Sequence, residues 1–105
     1  PKGLGGNGGS YTNPEQLFAA AYSTCYDGAL NLVARIKKHK IESKTTANVS
    51  IGKQADNGLG ISVLMEIEIQ GVDRHIAQEL IQEAHQVCPY SKAIRNNVEV
   101  ELKLV

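Results

Sequence analysis

Two cysteines, Cys25 and Cys88, are the only thiols in this chain of 105 residues. Cys25 lies in a run of small and apolar residues, Leu17-Phe-Ala-Ala-Ala-Tyr-Ser-Thr-Cys-Tyr26. Cys88 lies in Val87-Cys-Pro-Tyr-Ser-Lys92, at the end of a second periodic stretch. If the two meet in the fold, the chain carries a thiol redox couple. If they do not, they are small core residues, because Cys packs as a small hydrophobe. Spacing alone favours the second reading. A reducing compartment does not sustain a permanent staple, so the chemical alternative is a transient catalytic or sensing disulfide.

A thiol reacts as its thiolate, and burial alone makes it inert. A reactive Cys25 therefore needs a cation. Its own helical turn, with Tyr22, Ser23, Thr24, Tyr26, Asp27 and Gly28, supplies none. Glu15 lies upstream, about 15 Å away on a straight helix. Locally it reads as a first-turn acid that complements the helix dipole. A catalytic role would require it to orient a cation that itself pairs with the thiolate. Cys88 sits where a helix gives way to a turn, which suits a residue that must swing. Bridging needs the two Cα atoms within about 7 Å. His85 and Cys88 form H-x-x-C with Cys25 as a third candidate ligand, but a structural zinc site wants two such pairs, so no metal is expected. His75 and His85 read as exposed helix residues. The run Lys37-Lys38-His39-Lys40 reads as a solvated last turn, where cations complement the dipole. Gly3-Leu-Gly-Gly-Asn-Gly8 matches G-x-G-x-x-G, yet no strand precedes it, and it reads as a flexible loop.

Several elements must hold these groups. Thr12-Asn-Pro-Glu15 is a helix start, with Asn13 as N-cap, Pro14 at N1, and Thr12 and Glu15 as a capping box. The helical pattern continues to about His39, and its first half is apolar on almost every side, which predicts burial all round. Residues 41–54 alternate through Thr45, Ala47, Val49 and Ile51; residues 60–70 alternate through Ile61, Val63, Met65, Ile67 and Ile69. With the turn Asp56-Asn-Gly58 between them, they read as an antiparallel hairpin. Asp73 caps a second helix with Ile76, Leu80, Ile81 and Ala84 on one face, and Pro89 ends it. A short turn through Ser91–Ile94 leads to a last strand alternating Val98, Val100, Leu102 and Leu104. The order predicts one α+β domain: an antiparallel sheet packed around a long buried central helix. One sheet and one amphipathic helix cannot cover that central helix, so a homodimer is expected.

The charges balance, with 11 basic and 11 acidic residues. Nucleic acid is not an expected partner, since its footprint needs a basic excess on one face. No run of about 18 apolar residues appears, so no membrane span is expected. With no leader peptide in evidence, the reading is cytoplasmic.

The two cysteine segments closely resemble a known family. Thr12-Asn-Pro-Glu-Gln-Leu-Phe-Ala-Ala-Ala-Tyr-Ser-Thr-Cys-Tyr-Asp-Gly-Ala-Leu30 resembles the first cysteine motif of the organic hydroperoxide resistance (Ohr) family, within the OsmC superfamily. Val87-Cys-Pro-Tyr-Ser-Lys-Ala-Ile-Arg-Asn-Asn-Val-Glu-Val100 resembles its second. The resemblance runs from about Gly6 to the C-terminus. It implies an intertwined homodimer of OsmC-like fold with active sites at the subunit interface. It implies a thiol peroxidase for organic and fatty-acid hydroperoxides without metal, haem or flavin. Cys25 matches the peroxidatic cysteine, Cys88 the resolving one and Glu15 the active-site glutamate. Recycling would come from a lipoylated protein or another dithiol. The family's catalytic arginine belongs to an N-terminal strand region that precedes the matched segment. Nothing in residues 1–11 corresponds to it, and Arg35, Arg74 and Arg95 do not fall at its position. The chain opens on Pro1, and the family's N-terminal strands are expected to be missing from it. Phe18, Tyr22 and Ile94 are candidate walls for an alkyl tail. The alternative is a redox-sensing or lipid-binding module of the same fold without turnover.

Overall fold

Asn13 opens the first helix as its sequence demands. In the computed structural model, which describes residues 13–105, its side chain accepts from the Gln16 backbone N–H at 2.9 Å. Pro14 follows at N1, where its missing N–H leaves nothing unsatisfied. The Thr12 half of the capping box and the Gly3–Gly8 run lie outside the described residues. The helix, α1, runs Pro14–Ile36. It stops short of His39 because Lys38 turns left-handed, at φ 64°, while the His39 N–H reaches back to the Ala34 carbonyl at 2.8 Å. Closure of this kind satisfies the last carbonyls of a helix.

β1 (Glu42–Lys53) and β2 (Leu59–Gln70) form the expected antiparallel hairpin, with Glu42 opposite Gln70 and Lys53 opposite Leu59. At its tip Asn57 takes φ 64° and the Asp56 carboxylate accepts from the Gly58 N–H at 2.8 Å. Gly71 ends β2 at φ +108°, where a Cβ would meet the Lys40 carbonyl oxygen at 2.5 Å. Only glycine fits that approach. α2 (Arg74–Val87) starts on the Asp73 cap, which accepts from the Ile76 N–H at 2.8 Å. Residues expected to form a turn are instead a short helix, α3 (Pro89–Ile94). Pro89 at its first position blocks α2 from continuing and pre-sets φ for a new helix.

The last strand, β3 (Glu99–Leu104), lies beside β2 in parallel, with Ser62 opposite Glu99 and Ile67 opposite Leu104. The sheet, ordered β1-β2-β3, is therefore mixed rather than antiparallel throughout. α2 and α3 are the cause: they carry the chain back to the starting end of β2, as a parallel pairing requires.

The core is one cluster: Val63, Met65 and Ile67 of β2, Tyr22, Tyr26 and Leu30 of α1, and Leu80, Ile81 and Ala84 of α2. The other face of the sheet is wet, with Lys44, Glu68, Glu99, Glu101 and Lys103 exposed. Asp27 fastens α1 to β1, accepting from Ser43 at 2.8 Å and Thr45 at 2.9 Å. α1 is not buried all round within one chain. Leu17 is 62% exposed and Ile36 70%, because the sheet and α2 cover one side only. No helix among the described residues is long and apolar enough to cross a membrane.

Candidate active site

The two cysteines meet. Cys88 Sγ donates to Cys25 Sγ at 3.5 Å, across 63 residues of sequence. Both are free thiols. A disulfide needs its sulfurs about 2.05 Å apart, so a shift of about 1.5 Å joins them. Cys25 is half-buried and Cys88 fully buried. The asymmetry leaves Cys25 as the sulfur that a reagent can reach.

Local sequence explains each placement. Cys25 lies on α1 one turn past Tyr22, so both side chains share a face. Cys88 is the last cap of α2 and the first cap of α3, with its N–H on the Ala84 carbonyl at 2.8 Å and its carbonyl accepting from Lys92 at 3.0 Å. Expected at the passage from a helix to a turn, it is instead a buried joint between two helices. Its side chain makes no capping bond to α3. The Tyr90 N–H, a free first-turn donor, turns toward the Cys25 sulfur instead.

Burial pushes the Cys25 thiol above its ordinary pKa; the Tyr90 N–H pulls the other way, and the adjacent Cys88 sulfur adds to the rise. Burial prevails. No cation among the described residues is one of the groups that set this balance. In this chain, alkylation of Cys25 by iodoacetamide is expected to keep accelerating with pH beyond the point where a free cysteine peptide levels off, since only the thiolate reacts. A midpoint below the peptide's would contradict this account.

Glu15 is not brought to the sulfurs. It sits in the first turn of α1, in a hollow shared with Ala47, Asn48 and Val49 of β1. Its Oε2 is buried without a hydrogen-bond partner among the described residues. A buried carboxylate oxygen in that state calls for a cation or donor. Ile94 lines an apolar hollow with Ile51, Leu59 and Ile61 near the hairpin tip. Phe18 and Tyr22 do lie by the cysteine turns: Phe18 stacks on Tyr90 at 6.5 Å between ring centroids, and Tyr22 tilts against both rings.

His85 departs from the expectation of an exposed helix residue. It is half-buried, and its Nδ1 lies 2.8 Å from Ser91 Oγ. Burial and the nearby Arg95 hold its pKa below the ordinary histidine value. Arg95 donates to the His85 backbone carbonyl at 2.8 Å. Ser91, fully buried, also bonds the Tyr22 hydroxyl at 2.5 Å. His75 is exposed, beside Glu79 at 3.3 Å. In the basic run, Lys37 pairs with Glu83 of α2, and Lys37, Lys38 and Lys40 are exposed as expected. Among the described residues no three His, Cys, Asp or Glu side chains gather to hold a metal.

A family model described as OsmC-like protein matches residues 6–103. The chain belongs to the OsmC-like family. Organic hydroperoxide resistance protein OhrA of Bacillus subtilis is 48% identical over 94 residues, which span 89% of this chain and 67% of that protein. The organic hydroperoxide resistance protein of Xanthomonas axonopodis pv. citri is 47% identical over 105 residues, 99% of this chain and 74% of its own. The crystal structure of an organic hydroperoxide resistance protein from Elizabethkingia anophelis, with thiocyanate bound, superimposes with a TM-score of 0.91 at 52% identity, over 99% of this chain and 75% of that one. In this OsmC-like fold, sequence reasoning missed Ser91 and its bond to His85, which it had set beside Cys88 only as a candidate metal ligand. The available signal was spacing, since both stand three residues from Cys88, one helical turn to either side.

Proposed function

We propose that this chain is one OsmC/Ohr-like domain that resists organic hydroperoxides as a thiol-dependent peroxidase, reducing them, fatty-acid hydroperoxides included, to alcohols. The 3.5 Å approach of Cys25 to Cys88 carries this reading. Its similarity to organic hydroperoxide resistance proteins supports the hydroperoxide part of the reading. The Cys25 thiolate attacks the outer peroxide oxygen; the O–O bond breaks, the alkoxide leaves and takes a proton as alcohol, and Cys25 becomes a sulfenic acid. The Cys88 sulfur then attacks the Cys25 sulfur. The S–S bond forms, the S–O bond breaks, and the departing hydroxide leaves as water with the Cys88 proton. A dithiol, in the cell a dihydrolipoyl protein, reduces the disulfide by exchange and is itself oxidised to a disulfide.

Two groups complete the reading. The unpartnered Glu15 Oε2 supports a role in orienting a cation that comes from outside residues 13–105 and lowers the Cys25 pKa. The exposed Leu17 and Ile36 support a homodimer in which a second copy covers the open side of α1. A site of this kind works in a reducing cytoplasm, where its disulfide forms only in turnover.

A second reading, a redox-sensing or lipid-binding module without turnover, is favoured by one observation: burial holds Cys25 toward the inert thiol. One equivalent of cumene hydroperoxide added to reduced protein separates the readings. Loss of two hydrogens by intact mass, loss of both thiols within single chains, and repeated turnover with dihydrolipoamide are expected. Disulfide without turnover would favour the sensor; two surviving thiols would overturn the peroxidase.

A further inference from the structure

Two of the contacts that cross between the cysteine segments run side by side. Tyr22 stands one turn before Cys25 on α1; Ser91 stands one turn after Cys88 on α3. The sulfurs touch at 3.5 Å, and the Tyr22 and Ser91 hydroxyls bond at 2.5 Å. Ser91 is the one polar residue fully buried among those described. A hydroxyl in that position is costly unless both its donor and its acceptor capacity are met. Tyr22 and His85 Nδ1 together meet them. With the ring neutral and its proton on Nε2, the bonds run in one direction: Tyr22 donates to Ser91, and Ser91 donates to His85. Burial of both groups favours this arrangement, since it keeps the tyrosine protonated and the histidine uncharged. Arg95, on the His85 carbonyl, closes the far side of the same turn.

We propose that Ser91 is a positioning residue for the Cys25–Cys88 couple: by bonding Tyr22 on α1 and His85 on α2 it fixes the α3 turn that carries Cys88, and so sets how readily the two sulfurs join. This rests on the disulfide step proposed above. The step's chemistry is unchanged by it, with S–S formed, S–O broken and water released. What Ser91 contributes is the effective concentration of one sulfur at the other. Its influence belongs to the second step alone. The first, attack on peroxide, depends on access to Cys25 and on its thiolate, and the Ser91 bonds touch neither.

The test reads the two steps separately in Ser91→Ala and Tyr22→Phe, which remove the same bond from opposite ends. After one equivalent of cumene hydroperoxide, sulfenic acid is trapped with dimedone and disulfide closure is timed by mass. In parallel, each protein is equilibrated with mixtures of reduced and oxidised dithiothreitol, which reads the couple without any peroxide. Expected for Ser91→Ala is first oxidation at the wild-type rate. Closure is expected to be about five- to tenfold slower, with a similar shift of the equilibrium toward the dithiol, the scale of one hydrogen bond. Tyr22→Phe is expected to shift the equilibrium in the same direction, and the double variant to be no worse than Ser91→Ala, because Ser91→Ala already removes the Tyr22 bond together with the one to His85. Wild-type closure and equilibrium in Ser91→Ala would overturn the proposal, as would additive losses in the double variant. Should wild-type protein ignore the peroxide, the peroxidase reading fails, while the dithiothreitol equilibrium still decides the role of Ser91.

Discussion

Cys25→Ser is expected to stop peroxide consumption, a fall of at least about 10³-fold with cumene hydroperoxide and dihydrolipoamide, as loss of an enzyme's nucleophile does. The serine hydroxyl sits where the sulfur sat but is neither ionised at neutral pH nor soft enough to attack an O–O bond. Cys88 cannot replace it. That sulfur is fully buried at a helix joint, whereas Cys25 is half-buried and reachable. The substitution costs the fold little, since serine still accepts from the Tyr90 N–H. Substantial residual turnover by a folded Cys25→Ser protein would remove Cys25 from its assigned role.

Cys88→Ser is expected to give a different failure. The protein consumes one equivalent of peroxide per chain and then stops, because the Cys25 sulfenic acid has no sulfur at 3.5 Å to condense with. Further peroxide drives Cys25 up the ladder to the sulfinic acid, seen as two added oxygens by mass, which a dithiol does not reverse. The substituted hydroxyl enters an apolar site and costs roughly 1–3 kcal/mol of stability, so the comparison belongs at a temperature where circular dichroism finds the variant folded. Wild-type turnover with dihydrolipoamide would mean that Cys88 is not the resolving residue.

Much of the frame was legible in the chain. Asn13 with Pro14, the Asp56-Asn-Gly58 turn, the Asp73 cap and the break at Pro89 are local signals, each settled within a few residues, and each appears where the sequence put it. The β strands were legible because alternation is also local. The direction of β3 was not, since it depends on where two helices deliver the chain. Nor was the exposure of Leu17 and Ile36, because a helix that is apolar all round does not say which neighbour covers which side. The site divides in the same way. The motifs around Cys25 and Cys88 marked the residues, but only the fold brings the sulfurs together. His85 was misread because the groups that bond it, Ser91 and Arg95, lie on segments beyond its own helix. Glu15 remains apart from the sulfurs in the described residues, and its burial against β1 gave no local sign.

The separation of the two sulfurs along the chain also has a meaning in time. Ribosomes add roughly 5–20 residues per second. At that pace the 63 residues between Cys25 and Cys88 take about 3–13 s to emerge. β3, which the sheet needs beside β2, emerges later still. Throughout that interval a nascent Cys25 has no second sulfur to condense with, and an oxidant that finds it can carry it past the reversible stage. If the proposed peroxidase cycle operates, a chain still being made lacks the sulfur that would keep Cys25 on the reversible path, and its protection then falls to other reductants.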